Sequence, residues 1–108
     1  MEKIEKTIRY NKLFNAYKSL LSTTQQEILE AYFCFDLSLG EIAENRGISR
    51  AAVDDALQKG INKLEEYETS LKLAETKEEI LKITAKLKKS GLNSEQKQDI
   101  EAIERRLD

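Results

Sequence analysis

Histidine is absent from this sequence, and the only cysteine is Cys34. Without histidine a Cys–His catalytic pair cannot form, and metal sites built on histidine and cysteine are excluded by the same count. A lone cysteine also cannot form an internal disulfide. Because Cys34 lies in the apolar run Tyr32-Phe33-Cys34-Phe35, the sequence predicts a small buried hydrophobic residue there rather than a nucleophile.

Proline is absent too, and only 4 of the 108 residues are glycine. Residues with high helix propensity dominate, 35% of the chain is charged, and the net charge is −2, which together predict an all-α protein without the strongly basic balance of a nucleic-acid module. No apolar run approaches the roughly 18 residues of a membrane span, and the charged start at residues 1–6 opens no apolar stretch of the length expected of a signal peptide. The composition predicts a cytoplasmic protein with no cofactor, no metal and no membrane partner.

A helix-turn-helix pattern occupies the segment from Ser38 to Val53. Ser38 and Glu41 have the spacing of a capping box, which satisfies backbone N–H groups at the start of a helix. Gly47 lies where the chain must take a positive φ, and Ser49 can cap the second helix. An ordinary helical hairpin is the alternative, but the two caps and the turn glycine favour the helix-turn-helix. The residues predicted to pack its helices are Leu39, Ile42, Ala43, Ile48, Val53 and Ala56.

Apolar residues at spacings of three and four predict two helices before this motif. The first is predicted from Glu2 to Leu21, and overlapping caps at 22–27 start the second. The helix that begins at Arg50 is predicted to continue toward Leu73, with Gly60 as its weak point. The residues expected to be buried by the second helix are Ile28, Leu29, Tyr32, Phe33 and Phe35.

The end of the chain is predicted to form a helical hairpin. Capping boxes at 76–79 and 93–96 start its helices, and Gly91 ends the first of them after a basic turn. The composition places a boundary after Ala74, which predicts a body of residues 1–74 and an appendage of residues 75–108. The apolar faces of the hairpin are narrow, so we expect it to pack on the body or on a second subunit.

An apolar stripe with spacings of four and three runs along the long helix and suits a partner helix. Soluble monomers rarely expose large apolar patches, so the sequence predicts a homodimer through this stripe and the hairpin. A monomer whose hairpin folds back on the stripe is the alternative. The predicted interface residues are Leu57, Ile61, Leu64, Tyr67 and Leu71.

In a DNA-binding helix-turn-helix protein, the second helix of the motif would face the major groove. Acids and bases balance between Ser38 and Leu64, and Asp54 and Asp55 would repel phosphates, so any duplex DNA binding is expected to be weak and salt-dependent. Arg50 is the best predicted base or phosphate ligand. The candidate nucleic-acid-binding residues are Arg46, Ser49, Arg50, Ala51, Asp55, Gln58, Lys59 and Lys63.

The run Leu37-Ser38-Leu39-Gly40-Glu41-Ile42-Ala43, followed by Gly47-Ile48-Ser49-Arg50, resembles the promoter-reading region 4 of bacterial sigma factors. With Asn11-Lys12-Leu13-Phe14 before it and Lys63-Leu64-Glu65-Glu66-Tyr67-Glu68 after it, residues 3–74 resemble the YlxM family of small bacterial proteins. The resemblance implies a sigma-like helix-turn-helix fold, a DNA-binding or regulatory role, and a part in the signal recognition particle pathway, with its GTPase or its RNA as partner. It does not extend beyond Glu75, and at Arg46 it departs from the large apolar residue usual in the family.

Two classes of function therefore stay open at this point. One is a DNA-binding or regulatory protein; the other is a protein-interaction module that binds a signal recognition particle component without reading DNA. Catalysis is not predicted, because the chain has neither a histidine nor a glycine-rich phosphate loop.

Overall fold

A computed structural model describes the backbone from residue 2 to residue 108 and the side chains from residue 5 onward. Throughout that part of the chain the regular structure is helical, which confirms the all-α prediction. The helices are α1 Glu2–Tyr17, α2 Thr23–Leu29, α3 Leu39–Arg46, α4 Arg50–Leu71, α5 Leu73–Lys88 and α6 Ser94–Leu107, with a 3-10 turn at Lys18–Leu20 and a π-helical turn at Glu30–Cys34. The chain forms two compact units: the first ends at Leu71, and the second, the hairpin unit, is Lys72–Asp108.

The core of the first unit forms where α4 packs against α1, α2 and α3. Its fully buried side chains include Tyr17, Ile28, Leu29, Val53 and Leu64. Gly60 of α4 is buried beside Leu29 of α2, and a Cβ at this glycine would lie 2.6 Å from Leu29 Cδ1. The glycine that the sequence marks as a weak point is therefore what lets α4 approach α2 closely.

The predicted burial of Cys34 and Phe35 is wrong. Cys34 is exposed and the Phe35 ring is 64% exposed. After α2 the chain widens into the π-helical turn, in which the Phe35 N–H donates to the Glu30 carbonyl at 3.1 Å, five residues back. The extra residue in this turn changes which side chains of the aromatic run face the core. Phe33 is buried and Tyr32 is half-buried, whereas Cys34 and Phe35 point outward.

Two helix boundaries also differ from the prediction. The first helix ends at Tyr17, before the predicted Leu21, and gives way to the 3-10 turn, in which Leu20 is 52% exposed. The hairpin begins at Leu73, after Lys72 with a φ of 52°, so Thr76 lies inside α5 instead of capping it. The boundary between the units accordingly falls at 71/72, slightly before the expected 74/75.

The second half of the hairpin unit forms as the sequence predicts. Gly91 takes a φ of 78° after α5, and the Asn93 side chain and Gln96 make the capping box that starts α6. Between the two helices, Thr84 is 2% exposed and donates through its hydroxyl to Glu104 Oε2 at 2.8 Å. The Lys88 ammonium pairs with the same carboxylate. One acid thus ties α6 to α5 twice.

These two contacts give the hairpin unit a defined response to pH. Hydrogen bonds from Lys88 and Thr84 lower the pKa of Glu104 below its ordinary value of 4.5. Because the folded-state pKa is lowered, the contact stabilises the hairpin fully above that ordinary value and is lost as the pH falls through the folded pKa. We expect a ¹³C NMR titration to show the Glu104 carboxyl protonating below pH 4.5, with amide protection in α5 and α6 falling in the same range.

The matched variants are Glu104→Gln, which removes this acid-dependent step, and Glu101→Gln, which leaves it in place. Glu101 is exposed, so its replacement changes the charge without touching the contact. A Glu104 carboxyl that titrates at or above the ordinary value of 4.5 would mean that the contact does not form in solution.

Candidate nucleic-acid interface

The first helix of the helix-turn-helix, α3, begins with the predicted capping box. Ser38 Oγ accepts from the Glu41 backbone N–H at 3.1 Å, and Glu41 Oε1 accepts from the Ser38 N–H at 3.1 Å. The hydrogen bonds from the Ser38 backbone and then from its side chain lower the pKa of the Glu41 carboxyl. This confirms the predicted start of the motif, and it commits the Glu41 carboxylate to the helix end.

The turn also has the predicted geometry. Gly47 follows α3 with a φ of 66°, and the Ile48 N–H donates back to the Ala43 carbonyl at 3.1 Å, as in a Schellman motif. Ser49 Oγ then accepts from the Ala52 N–H at 3.0 Å and caps α4. These contacts fix the start of α4 relative to α3.

Most of the predicted packing between these helices is present. Ile42, Ala43 and Val53 are buried, while Leu39 and Ala56 are half-buried. Ile48 was expected to pack inward, but it is 40% exposed. Its backbone closes the Schellman motif, so its position follows from the turn hydrogen bond rather than from burial of its side chain.

Two of the predicted cationic ligands are paired with acids of the same chain. Arg46 Nη1 lies 2.6 Å from Glu27 Oε2, and Lys59 Nζ lies 3.0 Å from Asp55 Oδ2. Exposed pairs of this kind contribute at most about 1 kcal/mol to stability, yet each one neutralises a charge. A DNA phosphate would have to displace an acid before either cation could bind it.

Arg50, Lys59 and Lys63 do not form one patch. At 100° per residue, Arg50 and Lys63 are about 140° apart around α4, and the helical rise separates them by about 20 Å along it. Ala51 and Asp55 are exposed on the side of α4 opposite the buried Val53. The structure therefore spreads the predicted ligands over two flanks and the back of the helix.

Arg50 and Gln58 instead line a cleft of about 750 Å³ in the first unit, which we call the tyrosine cleft. Its walls come from α1, the π-helical turn, the segment that leads into α3, and one flank of α4. The sequence did not predict this site, because its residues come from four separated segments. Its aromatic residues also have the pattern of buried core residues. Its residues include Lys6, Tyr10, Tyr32, Phe33, Asp36, Leu37, Leu39, Glu41, Arg50, Leu57, Gln58 and Ile61.

The predicted dimer stripe is largely used inside the first unit. Leu57 is 3% exposed and Leu64 is fully buried, so the expectation that these two face a second subunit is wrong. Tyr67 is half-buried, with its ring 5.8 Å from that of Tyr17, and its hydroxyl donates to the Leu20 carbonyl at 3.3 Å. Ile61 lines the tyrosine cleft, and Leu71 is 52% exposed.

The acids beside that stripe also serve the fold. Arg9 of α1 binds both carboxylate oxygens of Glu65, at 2.9 and 2.6 Å, and the Tyr17 hydroxyl donates to Glu68 Oε1 at 2.5 Å. Glu66 is exposed. Glu65 and Glu68 thus join α4 to α1.

Across the residues that the structure describes, no helix is long and apolar enough to cross a membrane. In that same part of the chain no group of three histidine, cysteine, aspartate or glutamate side chains could hold a metal ion.

Comparison with known proteins places this architecture in a family. The family model UPF0122, described as "Putative helix-turn-helix protein, YlxM / p13 like", matches residues 4–104. Similar proteins include UPF0122 proteins of Bacillus thuringiensis (strain Al Hakam), Bacillus mycoides (strain KBAB4) and Bacillus anthracis (strain A0248). Each is 44% identical over 107 aligned residues, covering 94% of this chain and 97% of the relative.

The match corrects one expectation and confirms another. It continues through α5 and most of α6, so the expectation that residues after Glu75 have no family counterpart is wrong. The helix-turn-helix of α3 and α4, the matched range and the identity to the relatives agree with the resemblance drawn from the sequence. The chain belongs to the UPF0122 family of YlxM/p13-like helix-turn-helix proteins.

Proposed function

We propose that this protein is a cytoplasmic, non-enzymatic regulator whose helix-turn-helix unit binds a protein component of the signal recognition particle pathway, its GTPase. The helix-turn-helix family supports a regulatory binding role. The pathway and the partner follow from the resemblance to YlxM proteins. The observation that favours a protein partner over DNA is that acids of the same chain pair with cations of the motif.

A DNA-binding surface needs cations that are free to replace counterions along the phosphate backbone. Here Arg46 and Lys59 already neutralise acids of their own chain, and Asp54 is exposed beside Asp55 on α4. Protein interfaces have no such requirement, because apolar contacts and a few hydrogen bonds supply most of their binding energy. The motif is therefore better suited to a protein surface than to a duplex.

DNA binding is the second candidate, and the geometry of the turn favours it. The Gly47 turn and the Ser49 cap fix the start of α4 as in DNA readers, and Arg50 makes no ion pair with the described residues of its chain. Arg50, Lys59 and Lys63 would be its phosphate ligands. With three such cations, log K for duplex DNA should fall with log salt at a slope no steeper than about −3.

A titration of the full chain against the signal recognition particle GTPase, its RNA and random duplex DNA, at two salt concentrations, tests both candidates. We expect saturable GTPase binding that changes little with salt, and weak duplex binding that disappears at the higher salt. Duplex binding that is tight and survives both the higher salt and an Arg50→Ala, Lys59→Ala double variant would contradict the assigned cations and the protein-partner proposal.

Charge variants on α4 sharpen that titration. Replacing Asp54 and Asp55 with asparagine removes two exposed acids and releases Lys59, so random-duplex affinity should rise several-fold if α4 approaches phosphates. Glu66→Gln is the control, because Glu66 is an exposed acid near the other end of the same helix. Equal duplex affinity in both variants would mean that the start of α4 does not contact DNA.

We also propose that the protein is a homodimer, held by the hairpin unit rather than by the stripe of α4. Ile83, Leu87 and Ile103 are 58%, 40% and 44% exposed. Counted at 100° per residue, they lie on the flanks of α5 and α6 away from Lys88 and Glu104, which pair with each other. The exposed apolar residues of both helices therefore share one side of the hairpin, and a two-fold pairing of that side makes a four-helix bundle.

Light scattering on the full chain tests the dimer. We expect the unaltered protein to have twice the chain mass at micromolar concentration, and Ile83→Glu to have the single chain mass, because a charge would be buried in the bundle. Ala85→Glu is the matched control, since Ala85 is exposed on another side of α5. A single chain mass for the unaltered protein at high micromolar concentration would contradict the dimer.

A further inference from the structure

The tyrosine cleft has an apolar floor and a size suited to a ligand. Phe33 and Leu57 on the floor are only 9% and 3% exposed, and Ile61 beside them is half-buried. The volume of about 750 Å³ lies within the range of about 300–1,000 Å³ that is typical of ligand sites. A short segment of a partner that carries several large apolar side chains could occupy it.

Its rim carries two cations that form no ion pair with the residues that the structure describes. Lys6 and Arg50 line the cleft, and neither makes an ion pair with the described residues, in contrast to the paired Arg46 and Lys59. Two acids, Asp36 and Glu41, line the same cleft, and Glu41 is already hydrogen-bonded in the capping box at the start of α3. Arg50, unpaired among the described residues, can therefore bind a carboxylate of a partner.

Irregular backbone is concentrated at the same edge. The π-helical turn contributes Tyr32 and Phe33, and Asp36 takes a φ of 55° although it is not a glycine. Such departures cost free energy and occur most often at functional sites. Regular continuation of α2 would not place both aromatic rings beside α1 and α4.

From this combination we infer that the tyrosine cleft binds an acidic amphipathic segment of a partner protein. An apolar side chain of the segment lies on Phe33, Leu57 and Ile61. A carboxylate on the same segment accepts hydrogen bonds from the Arg50 guanidinium, with Lys6 close enough to add attraction. This is the groove mode of peptide recognition, in which apolar anchors supply affinity and charge fixes the orientation.

A single-stranded nucleic acid fits the cleft less well. Bases bind by stacking on open aromatic faces. The Tyr32 ring meets Phe33 edge-on at 5.0 Å, the Tyr10 ring lies 5.6 Å from Phe33, and both tyrosines are half-buried. The inference therefore rests on the proposed function in one respect, that the partner is a protein.

The test is selection of phage-displayed random 12-residue peptides on the immobilised full chain. We expect enrichment of sequences that combine aspartate or glutamate with leucine, isoleucine or phenylalanine. A synthetic copy of the most enriched peptide should shift the NMR signals of Tyr10, Tyr32 and Ile61.

Charge variants then locate the peptide. Arg50→Glu should weaken its binding at least about tenfold. Lys63→Glu makes the same change in charge on the same helix outside the cleft, and should leave the affinity within about twofold. A peptide with lysine in place of its acid should bind Arg50→Glu better than the unaltered protein, a result that loss of folding could not produce.

Three results would overturn the inference: no enrichment of acidic sequences, equal loss of affinity in Arg50→Glu and Lys63→Glu, or tighter binding of a 12-residue oligouridylate that shifts the same tyrosine signals. Failure here is distinguishable from failure of the proposed function. If the GTPase binds equally well to Arg50→Glu, only the cleft inference fails. If acidic peptides bind in the cleft but the GTPase does not bind the chain, only the proposed pathway role fails.

Discussion

Replacing Gly60 with valine is expected to lower the free energy of unfolding of the first unit by about 3 kcal/mol. The first added carbon would lie 2.6 Å from Leu29 Cδ1, and the Leu29 side chain is fully buried. Because Leu29 is buried in the core, its side chain can yield only by displacing core neighbours or by taking a strained rotamer, or else α2 and α4 must separate. Urea denaturation followed by circular dichroism measures the loss.

Gly40 provides the matched control for this effect. It also lies in a helix, but a Cβ there would meet only Ser38 Oγ at 3.9 Å. Gly40→Ala should therefore be neutral or stabilising by up to about 1 kcal/mol, the usual gain in helix propensity. A Gly60→Val protein as stable as the Gly40→Ala protein would show that α2 and α4 do not approach each other at Gly60.

Replacing Gly47 with valine should destabilise the first unit by about 2–3 kcal/mol, for a different reason. Gly47 has a φ of 66°, and nothing lies within 4 Å of the position that a Cβ would take. The cost is therefore backbone strain alone, imposed on a β-branched residue in the left-handed region. Thermal unfolding should show a melting temperature lower by roughly 10–20 °C for a unit of this size.

The variant Gly47→Asn distinguishes the cost of backbone strain from the cost of losing glycine itself. The asparagine side chain tolerates the left-handed region, so Gly47→Asn should cost less than about 1 kcal/mol. An unchanged melting temperature in Gly47→Val would mean that the turn between α3 and α4 does not lie at Gly47.

Features set by neighbours in the sequence could be predicted from the sequence. The capping boxes at Ser38 and Asn93, the positive φ of Gly47 and the cap at Ser49 each depend on residues within a few positions of one another. A side chain that satisfies a backbone N–H three residues away does so whatever the rest of the fold is. The capping box predicted at Thr76 was wrong, because α5 begins at Leu73 and Thr76 therefore lies inside the helix.

Burial around Cys34 could not be predicted, because it depends on how one turn closes. Periodicity assumes 3.6 residues per turn, and the π-helical turn at Glu30–Cys34 breaks that assumption. The neighbouring sequence gives no sign of the π-helical turn, because every residue of the aromatic run is of a type that is usually buried in the core. Phe33 is the residue of this run that is buried in the core, while Cys34 and Phe35 are exposed.

The candidate site was the least predictable part, because charge pairing is tertiary. Arg46 meets an acid 19 residues earlier in the chain, and sequence spacing contains no sign of that contact. Arg50 and Gln58 were found as candidates by their position on the second helix. Their shared cleft with Tyr10 and Tyr32 depends on the packing of α1 and the π-helical turn against α4.

The outward turn of Cys34 gives the chain a single chemically addressable position. It is the only thiol in the sequence and it is exposed, so a maleimide dye will attach at one site without any substitution. Partial burial, the largest influence, raises the pKa of this thiol, so coupling near neutral pH will be slower than at a fully exposed cysteine. Because the next residue inward is Phe33 on the cleft floor, the emission of such a dye will report occupancy of the neighbouring cleft in the otherwise native protein.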